Sequence, residues 1–167
     1  MIKNLNSRTT ESEYHAFSRL GLGKPIITES ELINMFFGSR VPEALFNHKG
    51  KILSVEVKRI IGNALPGCGD SRRKIKRLVR GKKQIVWPWT SSVETALSKL
   101  DIQIATRFNV DMHLAVFLLP DYLINSVRQR VIKHIHNVAV TYLSEGNTST
   151  KVKYYIITCD GYFFDRT

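Results

Sequence analysis

The run Ile52-Leu53-Ser54-Val55-Glu56-Val57-Lys58-Arg59-Ile60-Ile61 constrains this chain more than any other stretch of it. Side chains alternate between the two faces of a strand, so Leu53, Val55 and Val57 share one face and Ser54, Glu56 and Lys58 the other. The apolar face reads as the buried one. A carboxylate and an amine two residues apart on a core strand are costly if they are idle. Thirteen residues upstream of Glu56 stands a second carboxylate, Glu43, just after Pro42. Two carboxylates and an ammonium suit a site that holds a cation and aims a water at a phosphate.

The rest of the chain supplies elements to pack around that strand. Thr10 with Glu13 resembles a capping box ahead of Tyr14, Phe17 and Leu20 at helical spacing, with Gly21 and Gly23 as the stop. Thr28 with Glu31 opens a second, short helix through Leu32, Ile33, Phe36 and Phe37, ended by Gly38. Val41 to Phe46 reads as extended, and Asn47-His48-Lys49-Gly50 as a tight turn into the return strand from Ile52 to Ile61. Residues 62–71 read as loop, and Ile75, Leu78 and Val79 as the apolar positions of a short basic helix over 72–80. Gln84 to Trp89 reads as a strand or an aromatic turn. Ser91 with Glu94 caps a helix bearing Val93, Ala96, Leu97, Leu100 and Ile104. His113 to Leu119 is a buried-strand run, Asp121 begins a long helix as far as Gly146, and Val152 to Thr158 is the last strand expected. This succession predicts one α/β domain over residues 1–167, a central mixed sheet flanked by helices, with a basic insertion at about 62–92.

Charge narrows the partners. Twenty-five Lys and Arg against fourteen Asp and Glu leave a net charge of +11, a field that favours polyanions. Eight of the cations crowd into twelve residues: Arg72, Arg73, Lys74, Lys76, Arg77, Arg80, Lys82 and Lys83. A charge run is by default a solvated face, and a nuclear-import signal is another use. Trp87 and Trp89 lie just beyond it, however, and aromatics beside cations stack on unpaired bases, so the segment is read as a nucleic-acid arm. No apolar stretch reaches the length of a membrane span, and the first residues lack the core of a secretion signal, so an intracellular chain, nuclear or cytoplasmic, is expected. Cys68 and Cys159 are isolated and form no zinc motif.

Pro42-Glu43, twelve intervening residues and then Glu56-Val57-Lys58 resemble the signature of the PD-(D/E)XK nuclease superfamily. The resemblance spans about residues 9 to 120 and implies a restriction-endonuclease-like core like that of Holliday-junction resolvases. It implies that Glu43, where the family more often has Asp, and Glu56 bind Mg²⁺ or Mn²⁺, with the main-chain carbonyl of Val57 as third ligand. Lys58 would orient or help deprotonate the attacking water. Some members add a glutamate from the first helix, for which Glu13 comes first and Glu11 second. Others send a polar residue from the helix after the motif, which makes Lys99 and Gln103 candidates. A solvent-facing stripe of Lys99, Gln103 and Arg107 is the preferred reading of that helix, and an exposed Glu56–Lys58 pair on a sheet face is the bland reading of the motif.

The expected activity is metal-dependent hydrolysis of phosphodiesters, with a structure-selective DNA endonuclease first and an RNA endonuclease after it. A catalytically inactive nucleic-acid-binding module on the same fold is the alternative. No membrane partner is expected, and a homodimer would suit cleavage of two strands.

Overall fold

The computed structural model describes residues 16–60, 75–79, 82–86, 90–119, 125–146, 152–159 and 163–166. The elements are β1 (Ile27–Thr28), α1 (Glu29–Met35), β2 (Ala44–His48), β3 (Lys51–Arg59), β4 (Ile75–Val79), β5 (Lys82–Val86), α2 (Thr90–Leu97), α3 (Ile102–Arg107), β6 (Met112–Leu118), α4 (Asn125–Ser144), β7 (Lys153–Cys159) and β8 (Phe163–Arg166). Six strands form one mixed sheet in the order β1-β2-β3-β6-β7-β8, parallel where β6 meets β3 and β7 and antiparallel elsewhere. The chain is therefore α/β, with a mixed open sheet flanked by helices.

Local chemistry accounts for the boundaries. Lys49 and Gly50 both take positive φ (50° and 81°), the backbone of a two-residue turn whose twist matches the strands it joins. The turn is thus Lys49-Gly50 alone, and Asn47 and His48 belong to β2. The Thr28 capping box forms as expected, with Glu31 Oε2 accepting from the Thr28 amide at 2.8 Å and the Thr28 hydroxyl accepting from the Glu31 amide. Helix α1 ends one turn short of Gly38, with Phe36 as its C-cap. Residues 16–19 are helical, while the Thr10 and Glu13 cap lies outside the described residues.

Three expectations are corrected. The segment read as a basic helix is instead strand β4, paired with β5 in a separate two-stranded sheet with Arg77 opposite Gln84 and Leu78 opposite Lys83. Ile75, Arg77 and Val79 alternate as well as they spiral, and β-branched residues favour the strand. The single helix expected from Ser91 to Ile104 is two helices. Asp101 adopts an extended backbone and its carboxylate accepts from the Gln103 amide at 2.7 Å, an N-cap that starts α3 afresh. A further strand, β8, follows β7 and pairs antiparallel with it.

The sheet is covered on both faces. Leu53, Val55 and Val57 join Ala44, Phe46, Leu114 and Val116 beneath Ala16, Phe17 and Leu22. On the other face one cluster gathers Val93, Ala96 and Leu97 of α2 and Val131, Ile135 and Ala139 of α4 over Ala115 and Phe117. A second cluster on that side holds Leu32 and Phe36, Leu45, and Leu100, Ile104 and Ala105. The face bearing Ser54 and Glu56 is therefore buried too, as expected of a strand with a parallel neighbour and helices on both sides.

Candidate functional site

The register that places Glu56 is set from its N-terminal end. Asp111 donates its amide to the Ile52 carbonyl at 2.8 Å and accepts the Ile52 amide on Oδ2 at 2.8 Å. That double latch fixes β3 against β6, so Ser54 lies beside His113, Glu56 beside Ala115 and Lys58 beside Phe117. On the other side, β2 pairs Ala44 with Val55 and Leu45 with Ser54. The ladder ends at Ala44, and Glu43, the residue before it, lies in a bend just outside the strand.

Glu56 is 3% exposed, while Glu43 and Lys58 are half-buried. This rules out the bland reading of an exposed Glu56–Lys58 pair. A cation beside Glu56 is Lys99, just past the end of α2, with Nζ 4.0 Å from Oε1. Lys99 is 29% exposed at its side chain, and its place over Glu56 corrects the expectation of a solvent-facing stripe. The cause is the helix break: Leu97 packs in the cluster under α2 and α4, Leu100 in the cluster under α1 and α3, and Lys99 falls on the seam between them. Gln103, beyond the break, is exposed on α3 and takes no part in the carboxylate site.

The same seam carries other polar groups that sequence reasoning passed over. Ser54 Oγ lies 3.0 Å from His113 Nδ1, both residues wholly buried. Burial lowers the His113 pKa to about 4, the main-chain carbonyl of Ala96 partly offsetting the shift. A neutral imidazole sharing a hydrogen bond with the Ser54 hydroxyl is the species this implies. The His113 ring also meets Tyr154 edge to face at 5.3 Å. At the rim, Arg40 Nη1 donates to Ser98 Oγ at 3.0 Å. Burial raises the Tyr142 pKa, Glu94 raises it further and Arg40 opposes them, which puts all three in one electrostatic neighbourhood. A usable signal for Arg40 was its position three residues before Glu43.

The remaining candidates divide plainly. The Val57 side chain packs in the opposite core, so only its main chain is left to serve a cation. Glu11, Glu13, Arg72, Arg73, Lys74 and Arg80 lie outside the described residues; Lys76, Arg77, Lys82 and Lys83 lie on β4 and β5. Among the described residues no three His, Cys, Asp or Glu groups come together as a metal cage. Glu56, with Glu43 one residue before the neighbouring strand, offers the oxygen donors that Mg²⁺ takes, an ion that keeps several waters and is held by one or two carboxylates plus substrate phosphate. No helix among the described residues is long and apolar enough to cross a membrane. Comparison with family models, curated proteins and solved structures finds no match to this chain.

Proposed function

We propose that this chain is a metal-dependent endonuclease with a restriction-endonuclease-like core, acting on DNA of particular structure in preference to RNA. What supports the reading is the buried Glu56 on β3, with Lys58 two residues along the same face and Glu43 one residue before β2, the strand that pairs with β3. The mixed sheet and the motif-bearing hairpin support the fold assignment, and the charge of +11 supports a polyanionic substrate. The basic ribbon β4–β5, emerging from the chain directly after β3, supports a nucleic-acid arm.

In this mechanism Glu43, Glu56 and the Val57 carbonyl would hold Mg²⁺ or Mn²⁺. The ion, when bound, would supply Lewis-acid polarisation of the phosphate and lower the pKa of water. Lys58 orients the attacking water and steadies the charge that develops on the phosphoryl oxygens. Lys99 balances Glu56 before substrate arrives. The helices over this face limit water around the carboxylates, which strengthens each of these interactions.

A second reading has its own support. The Lys99 ammonium gives Glu56 a counter-charge inside the fold, and among the described residues no three ligating groups come together, which suits a nucleic-acid-binding module without catalysis. The experiment that separates the two uses wild type, Glu56→Gln and Lys58→Ala on labelled single-stranded, duplex, flap and four-way-junction DNA and on RNA, each with Mg²⁺, Mn²⁺ or EDTA. The nuclease reading expects metal-dependent cutting, lost in both variants while binding persists. Tight, salt-sensitive binding without cutting under any metal leaves the binding module.

A further inference from the structure

A second site lies across the helix break from the carboxylates. Met35 and Phe36 at the end of α1 and Ile102, Gln103, Thr106 and Arg107 of α3 line an open cavity of about 480 Å³. Met35, Phe36 and Ile102 are apolar, and α3 also presents the Gln103 amide, the Thr106 hydroxyl and the Arg107 guanidinium. The guanidinium is held in place: its Cζ lies 5.7 Å from the Phe36 ring centre and 5.7 Å from that of Phe108. Those two rings meet each other edge to face at 6.0 Å. Around the mouth Met35 and Ile102 are about half exposed, an apolar surface that water does not favour.

We infer that this cavity binds an unpaired nucleobase of the substrate strand, with the adjoining phosphate on Arg107. The inference rests on the nucleic-acid reading above and adds what that reading lacks, a means of selecting structure. A base offers two apolar faces, an edge of donors and acceptors and an attached anion. The cavity answers with the exposed Met35 and Ile102 for the face, Gln103 and Thr106 for the edge, and the Arg107 guanidinium for the anion. A purely apolar protein segment would leave the Gln103 amide and the guanidinium unmatched on burial, which disfavours it. The net charge of +11 draws the same polyanion to the whole surface. Gln103 follows Lys99 by four residues, so their α-carbons are at most about 14 Å apart, and the Lys99 ammonium lies 4.0 Å from Glu56. A base extruded from a junction, flap or bulge can enter the cavity, whereas a perfect duplex keeps its bases stacked and out of reach.

The test measures binding in EDTA, so that cutting plays no part. The probes are a perfect DNA duplex, the same duplex with one extrahelical adenine, and a single strand of equal length, offered to wild type, Gln103→Leu, Arg107→Leu and Arg107→Lys. All three substitutions are at exposed positions, and circular dichroism checks that they fold. Wild type is expected to bind the bulged duplex and the single strand about tenfold more tightly than the perfect duplex, the worth of one stacked base. Gln103→Leu and Arg107→Leu should lose that preference while keeping duplex affinity, and Arg107→Lys should keep only part of it, since an ammonium lacks the planar stack. Equal affinity of wild type for bulged and perfect duplex, or an equal loss on both probes in the Leu variants, overturns the inference. Cutting in Mg²⁺ without the preference sinks this inference alone; absence of binding to every probe sinks the nucleic-acid reading itself.

Discussion

Acid stability provides the sharpest test of the buried seam. His113 is wholly buried, 3.0 Å from Ser54 Oγ, and its pKa falls from 6.5 to about 4. Below pH 6.5 the unfolded chain takes up a proton on this residue and the native chain does not, so stability declines with falling pH until the native pKa is reached. The contribution is fully present above about pH 6.5 and lost by pH 4, a total of about 3 kcal/mol for a shift of this size. Most of it is spent early: between pH 7 and pH 5 the expected loss is about 2 kcal/mol. Replacing both partners, Ser54→Ala with His113→Leu, removes the titrating group without leaving a hydroxyl stranded, a change that similar shape keeps tolerable. Urea unfolding of both proteins at pH 7, 6 and 5 gives the two slopes. The double variant should lose about 2 kcal/mol less than wild type across that window. Parallel slopes, within about 0.5 kcal/mol, would refute the burial argument.

Two further predictions concern the carboxylates. Lys99→Ala should destabilise the fold by about 1 kcal/mol, a modest figure because the lysine is partly solvated and its ammonium stands 4.0 Å away; the same substitution in a Glu56→Gln background should cost less, a coupling read from a double-mutant cycle. If Glu43 and Glu56 hold a divalent ion, Mg²⁺ at ten times its dissociation constant should stabilise wild type by about 1.4 kcal/mol in a thermal melt, and should leave Glu43→Gln and Glu56→Gln unmoved; equal shifts in all three would remove the metal site.

What could be read from the sequence was whatever short-range chemistry determines. The Thr28 capping box, the turn at Gly50 and the strand β3 each depend on neighbours in the chain, and all three appear in the structure, although β3 is buried from Leu53 to Val57 on both faces rather than on one. The burial of Glu56 was not readable, because it depends on α2 and α4 closing over a face that in isolation looks amphipathic. Ser54 and His113 are fifty-nine residues apart and meet only through the β3–β6 register. The basic ribbon was misassigned because Ile75 and Val79 satisfy both a period of two and a helical spacing of four. Lys99 escaped preference because its direction depends on where the helix ends, and the Asp101 cap was overlooked in favour of an unbroken apolar pattern.

That cap is worth a full test, since it is what separates the two sites. In an unbroken helix Lys99, Gln103 and Arg107 would lie at spacings of four along one stripe and share one environment. Asp101 ends that possibility by accepting from the Gln103 amide at 2.7 Å and starting α3 in a new direction. Leu97 is thereby left in one core and Leu100 in another, Lys99 meets Glu56 between them, and Gln103 and Arg107 turn to the cavity with Met35 and Phe36. Asp101→Ala should cost about 1 kcal/mol, the usual worth of an N-cap, and Asp101→Asn should recover most of it by supplying another oxygen acceptor. The more telling readout is affinity: with the start of α3 loosened, preference for an extrahelical base over perfect duplex should weaken in Asp101→Ala while duplex affinity holds. Should Asp101→Ala leave both stability and preference at the wild-type values, the cap would not be what orients α3, and the division of labour between Lys99 and Gln103 would need another cause.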